Sequence, residues 1–304
     1  PDGKDVYSIL DLWQKTNPYH IEPAFLLANY WSSKKSPDSA LRALQKANEK
    51  HPNNLMLHLT KMQILLNNNR SSDAKALLKE LDKFNVNEAL LAGITGRIFL
   101  LDRDFSAAIP MLQQQYEANP ISNNVKFLAF ALEGNKQKDE AIKLLEQFSN
   151  KGKSDNKIHP VISMNLANMY LAKHQSKAIV EYERLITVQP NNVVVLNNLS
   201  WLYMEQNKIG QALEYSKKAY GLNAKIPNVV DTYAQVLLKS NKSAEALVKA
   251  KEAYELSRGV DIDIALNFVE ILLANNNNKE AQDILGGITG VTVEQKAKKQ
   301  RLSE

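Results

Sequence analysis

The sequence predicts an all-α fold of stacked helical hairpins, a tandem-repeat solenoid. Three observations predict it: a recurring alanine, a helical apolar period and an evenly spaced series of polar turns. The alanines are Ala40, Ala74, Ala108, Ala141, Ala178, Ala212, Ala246 and Ala281, in steps of 34, 34, 33, 37, 34, 34 and 35 residues. A period of that length marks one supersecondary unit that cannot bury its apolar face alone. A second series of small or compact residues keeps the same register at Ala28, Met62, Gly96, Ala129, Ala167, Ser200 and Ala234. Small side chains at matched positions let two helices cross closely.

Taken in order along the chain, Val6, Leu10 and Trp13 before Asn17-Pro18 predict a helix over 1–18. It is read as the second helix of a repeat whose first helix is missing, so the chain begins inside a longer array. Its open apolar edge is a surface for self-association. About eight repeats follow over 21–290, at 21–54, 55–88, 89–121, 122–158, 159–192, 193–226, 227–260 and 261–290. In the first of these, Leu26, Leu27, Tyr30 and Trp31 form one helical stripe, and Leu41, Leu44 and Ala47 form its partner. Leu196, Leu199, Trp201, Leu202 and Tyr203 repeat the pattern farther on. Stacked pairs then share one continuous core, stabilised between nearest neighbours.

Punctuation agrees. His51-Pro52, Asn119-Pro120 and Gln189-Pro190 close units, and Asn67-Asn68-Asn69, Gly134-Asn135, Gln206-Asn207, Ser240-Asn241 and Asn275 to Asn278 mark the corner inside each unit. Asn tolerates the left-handed backbone such corners use. Three departures are expected: a lengthened, irregular junction near 149–158, an irregular turn at Ala172–Ser176, and a kink at Pro110, whose missing amide suits only a first turn. Residues 292–304 are read as a polar capping helix and tail. Their basic run, Lys296, Lys298, Lys299 and Arg301, is read as a solvated face.

A small residue at position 8, an aromatic or large apolar residue at 11, Ala at 20, a large apolar residue at 24 and Pro at 32 resembles the tetratricopeptide repeat. Ala28, Trp31, Ala40, Leu44, Ala47 and Pro52 carry that pattern in 21–54, and Gly96, Phe99, Ala108, Leu112 and Pro120 carry it from Ala89. The resemblance implies a right-handed superhelical solenoid and a non-catalytic protein- or peptide-binding scaffold. A narrower resemblance rests on 196–203, Lys217-Lys218-Ala219-Tyr220 and Val230-Asp231-Thr232-Tyr233-Ala234. These are similar to the C-terminal repeats of bacterial exosortase-system lipoproteins. That likeness implies a periplasmic or outer-membrane-tethered scaffold in exopolysaccharide or protein-sorting assembly; without it, a cytoplasmic adaptor is the alternative.

In this architecture first helices line a concave groove. Its position-9 side chains include Asn29, Gln63, Arg97, Phe130, Asn168, Trp201, Gln235 and Glu270; position 5 adds Phe25, Lys126, Asn197 and Asp231. Amides pair with the backbone of an extended peptide without demanding a sequence, and Phe25, Phe130 and Trp201 are the apolar anchors. Clamps that grip a C-terminal carboxylate combine Lys and Asn at positions 5 and 9. Here those positions read Phe25/Asn29, Leu59/Gln63 and Gly93/Arg97, so that clamp is not reproduced.

Composition narrows the remaining classes. The chain has 304 residues, 44% hydrophobic, no cysteine and a net charge of +5. No disulfide or thiolate chemistry is available, and no run approaches the about 20 apolar residues of a membrane-spanning helix. RNA binding by a helical repeat is the alternative function, disfavoured because basic residues do not recur at groove positions. No enzyme, cofactor or metal site is expected. His20, His51, His58, His159 and His174 are scattered, and Gly286-Gly287-Ile288-Thr289-Gly290 lacks the strand and Lys-Ser/Thr of a phosphate loop. Asp261 and Asp263 lack the remaining ligands of a calcium loop and are read as helix starters.

Overall fold

The computed structural model describes residues 3–17, 19–153, 158–289 and 292–303, and every regular element among them is an α-helix. Pro18, residues 154–157 and Gly290 lie outside the described residues, and so do the expectations placed on them. None of the helices is long and apolar enough to cross a membrane.

The chain packs as two compact units, 1–148 and 149–304. The first contains α1 (Gly3–Thr16), then the pairs α2 (Glu22–Ser33) and α3 (Pro37–Lys50), α4 (Leu55–Asn67) and α5 (Ser71–Leu81), α6 (Glu88–Leu101) and α7 (Phe105–Ala118), followed by α8 (Ser122–Gly134) and most of α9 (Lys138–Lys153). Consecutive helices from α1 to α8 pack on each other, and the first helices also touch in a row, α2 on α4, α4 on α6 and α6 on α8.

The second unit repeats this plan after the last turn of α9. It pairs α10 (Pro160–Tyr170) with α11 (Gln175–Val188), α12 (Val193–Glu205) with α13 (Ile209–Leu222), α14 (Pro227–Lys239) with α15 (Ser243–Leu256), and α16 (Ile262–Ala274) with α17 (Asn278–Gly287). Here the row of first helices is α12, α14 and α16, and α18 (Val293–Ser303) joins its end by packing on both α16 and α17.

The repeating alanines are the crossing points. All eight, Ala40 through Ala281, have no exposed surface, and their first-helix counterparts Ala28, Met62, Ala129, Ala167, Ser200 and Ala234 are at most 1% exposed. A Cβ on Gly96 would come within 2.7 Å of Leu112 Cγ, so the missing side chain lets Leu112 of α7 pack against the α6 backbone. One turn beyond the alanines, Leu44, Leu112, Leu145 and Tyr182 are fully buried, as i,i+4 spacing on one face requires. Each such large apolar side chain contributes about 1.5–3 kcal/mol by leaving water.

Helix ends follow local chemistry. Asn54 Oδ1 accepts from Leu57 N, Asn192 Oδ1 from Val195 N, and Asp261 Oδ1 from both Asp263 N and Ile264 N. Asp261 is therefore a helix starter, as its sequence context predicts. The corners inside the units place Lys35, Asn69, Arg103, Lys136, Asn207, Asn241 and Asn276 at positive φ, between 55° and 65°. Asn supplies four of them. At Gly134-Asn135 the left-handed residue is Lys136, one position later than expected. The corner after α10 has four residues where the others have three, and no residue in it has positive φ. This is the irregularity predicted around 172–176.

Pro110, where a kink is expected, sits in the second turn of α7. Two expectations change. Residues 149–153 of the expected loop continue α9, which runs to Lys153. The C-terminal basic run is only half solvated: Lys298 contacts α16, Lys299 Nζ donates to the Ile288 carbonyl oxygen at 2.7 Å, and Lys296 and Arg301 remain exposed.

Candidate functional site

In the first unit, α4, α6 and α8 bring Gln63, Arg97 and Lys126 to one cavity of about 470 Å3. Arg97 donates to Gln63 Oε1 at 3.1 Å and to Asn67 Oδ1 at 3.0 Å, while Gln63 Nε2 donates to the same Asn67 oxygen at 2.7 Å. These amides hold the guanidinium upright over Phe127, 4.7 Å from the ring centre. Lys126 Nζ lies 4.5 Å from the same ring centre. Leu59, Met62, Leu66, Leu90, Ile94 and Ile121 supply the apolar part of the wall, and among the described residues no Asp or Glu lines it. Burial pulls the Arg97 guanidinium below its usual range; burial and then the Arg97 charge do the same to Lys126. Both shifts report cations held without enough compensating charge.

Gly93 gives this cavity its floor. A Cβ there would lie 2.0 Å from Gln115 Nε2, so the missing side chain admits an amide from the second helix α7. Gln115 Oε1 is buried with no hydrogen-bond partner. Of the other predicted residues in this unit, Asn29 is exposed, Phe130 is 50% exposed with its ring edge against Phe105, and Phe25 is half-buried against the Ala24, Ala28 and Leu44 core.

In the second unit the same positions form a different network. Asp231 is 7% exposed; its Oδ2 accepts from Gln235 Nε2 and from Asn267 Nδ2, each at 2.7 Å. Its Oδ1 is buried without a partner. Burial pushes its carboxyl up to about 7, although Asn267, Gln235 and the Lys298 charge pull it the other way. Lys298 from α18 donates to Asn267 Oδ1 and pairs with Glu270 at 3.1 Å. Asn168 Oδ1 accepts from the Tyr182 hydroxyl at 2.7 Å, and that hydroxyl accepts from Asn198 Nδ2 at 2.8 Å. Asn197 and Trp201 are half-buried on α12, the former with a buried, unpartnered Oδ1.

Sequence spacing therefore brings Gln63 with Arg97 and Lys126, and Asp231 with Gln235, into common sites. It misses Asn67, Gln115 and Phe127 in the first unit and Asn267 and Lys298 in the second. Asn67 follows Gln63 by one helical turn and was legible on that ground. Gln115 and Lys298 come from a second helix and the cap, outside positions 5 and 9 of the first helices. The ladder of amides is also partly committed: Gln63, Asn168 and Gln235 each bond within the chain before any partner arrives.

The tetratricopeptide-repeat family model matches residues 33–98. No curated protein matches the sequence. Among solved structures, the Cut9–Hcn1 hetero-tetramer of the APC/C matches with a TM-score of 0.62 at 13% identity, covering 95% of this chain and 57% of that one. The chain thus spans little more than half the length of that relative. A tetratricopeptide repeat protein from Parabacteroides merdae ATCC 43184 matches with a TM-score of 0.52 at 13% identity, over 83% of this chain and 98% of that one. MamA (residue 41 to the end) from Desulfovibrio magneticus RS-1 matches with a TM-score of 0.51 at 15% identity, over 58% and 98%. At these identities the likeness is one of fold.

Proposed function

We propose that this chain, built of tetratricopeptide repeats in an all-α solenoid fold, is a non-catalytic protein-interaction scaffold whose units hold extended protein segments on their first-helix faces. The observation that carries the reading is the first-unit cavity, where three residues placed by repeat register alone, Gln63, Arg97 and Lys126, converge on one apolar-walled site. A stacked repeat presents such surfaces as a consequence of its geometry, and a concave patch that mixes apolar walls with a few placed polar groups is what a binding site requires. Phe130 and Trp201 are the exposed and half-exposed aromatics beside these faces, suited to anchor a bound segment.

The finer reading places this scaffold in a bacterial cell-envelope assembly. It is supported by the Leu196–Tyr203, Lys217–Tyr220 and Val230–Ala234 resemblance, and fractionation of source cells with an antibody to the chain tests it. A chain confined to the cytosolic fraction removes the envelope role.

Binding itself is tested by affinity capture from source-cell extracts with three forms of the chain. One is unchanged, one carries Gln63→Ala, Arg97→Ala and Phe130→Ala, and one carries Asn168→Ala, Trp201→Ala and Gln235→Ala. The expected outcome is a partner captured by the unchanged chain and lost with at least one triple variant of unaltered helicity. Capture equal in all three forms places binding away from the first helices and defeats the proposal.

A further inference from the structure

We infer that the first-unit cavity recognises an acidic side chain of an extended protein segment, its carboxylate lying between Arg97 and Lys126. The inference rests on the scaffold reading above and adds the chemistry of the partner. Two cations share the site, and among the described residues neither forms an ion pair. Elsewhere in the same unit two basic side chains do find carboxylates: Arg70 reaches Asp38 and Asp73 at 2.6 Å each, and Lys75 reaches Asp102 at 2.6 Å. Arg97 and Lys126 are more sheltered than those groups, so the lack of a counter-charge falls where it costs most. A carboxylate would meet a guanidinium already oriented by two amide oxygens and an ammonium one helix away, and hydrogen bonds to charged groups are the strong ones.

The rest of the wall selects among anions. Apolar Leu59, Leu66, Leu90 and Ile94 suit the methylenes of a Glu and an aliphatic neighbour in the same segment. A nucleic acid would need bases stacked on free aromatic faces and a longer run of cations. Here the one aromatic ring in the wall, Phe127, already carries both cations.

The test uses the full chain and a fluorescent ten-residue peptide, acetylated and amidated, bearing two Glu among Leu and Ala. Fluorescence anisotropy is read against the same peptide with Gln for Glu, the Gln peptide with a free C-terminal carboxylate, oligouridine, and inorganic phosphate as competitor. The expected result is Glu-peptide binding that weakens at least tenfold with Gln for Glu and at least tenfold with Arg97→Gln/Lys126→Gln. Lys126→Arg is expected to stay within threefold of the unchanged chain, and Lys50→Gln/Lys79→Gln, which removes the same charge from exposed positions, within twofold. Unaltered circular dichroism of Arg97→Gln/Lys126→Gln, and a melting temperature not below that of the unchanged chain, guard against misfolding.

Equal loss in the Lys50/Lys79 control, or equal binding of Glu and Gln peptides, overturns the inference by showing general electrostatic attraction or none. Tighter binding of the free-carboxylate Gln peptide overturns the side-chain assignment, and tighter binding of oligouridine or phosphate overturns the peptide. Absence of peptide binding, with a captured partner still lost in the Asn168/Trp201/Gln235 variant, ends this inference alone. Absence of any partner on either first-helix face ends the scaffold reading with it.

Discussion

The two units use one repeat and reach opposite electrostatic arrangements on equivalent positions. In the first, position 9 of one repeat and position 5 of the next hold Arg97 and Lys126, two cations with amides and an aromatic ring for company. In the second, the position-5 carboxylate of Asp231 is buried among amides, and Glu270 is paired to Lys298 from the cap. The backbone scaffold is the same at both places, since Ala40 and Ala246, or Ala28 and Ala234, are buried alike. The difference teaches that buried small residues specify the stacking while first-helix polar residues vary freely on it. One face is left for a charge from outside, and the other is largely closed by charges from within.

The comparison breaks most forcefully at the crossings. Ala28→Trp and Ala234→Trp each insert a large ring where at most 1% of the residue is exposed, and each is expected to cost about 3 kcal/mol by overpacking. Urea denaturation followed by circular dichroism reads this. If the two units unfold independently, each variant splits the transition, with the altered unit unfolding first. Unchanged midpoints in both would show that the repeat register is misplaced.

A smaller effect separates the closed site. The folded Asp231 carboxyl, pushed up to about 7 from 3.8, holds its proton more tightly than the unfolded chain does. Between about pH 4 and 7 the folded state therefore binds more protons, and stability falls as pH rises through that window. Asp231→Asn removes the buried charge while keeping an oxygen for Gln235 and Asn267. It is expected to gain about 1 kcal/mol at pH 8 and to lose that advantage below pH 4, read from urea midpoints across the range. A gain independent of pH would assign the effect to packing instead of ionisation.

The smallest effect sharpens the open site. Lys126 has its pKa lowered below 10.5, so the unfolded chain holds that proton more tightly and stability rises as pH climbs toward 10.5. Lys126→Gln is expected to flatten that rise and to raise the melting temperature at neutral pH by a degree or less. A clear fall in melting temperature would mean that Lys126 supports the fold and is not held ready for a partner.

Much of this was legible in the residues. The 34-residue spacing of alanine required two helices to touch at each repeat, and a side chain with no exposed surface occupies every one of those sites. Asn at 69, 207, 241 and 276 announced four of the left-handed corners, because Asn adopts that backbone more readily than most side chains, whereas Lys35, Arg103 and Lys136 take it without such a signal. Gly96 announced a close approach of α6 to α7, and Asp261 announced its helix. Periodicity carries such information because each repeat contacts its neighbours in the same way, so one local rule serves eight times.

What a side chain does once the helices are stacked was decided only by the tertiary structure. Gln115 reaches the first-helix face through the gap left by Gly93, Lys298 returns from the cap to Asn267 and Glu270, and Lys126 meets Arg97 across two helices. Those encounters join residues far apart in the chain, and their energies depend on burial and on which charges lie within a few ångströms. A single sequence prescribes the repeat, because that depends on spacing along the chain; it leaves the electrostatics of each face to distances that exist only after the repeats have packed.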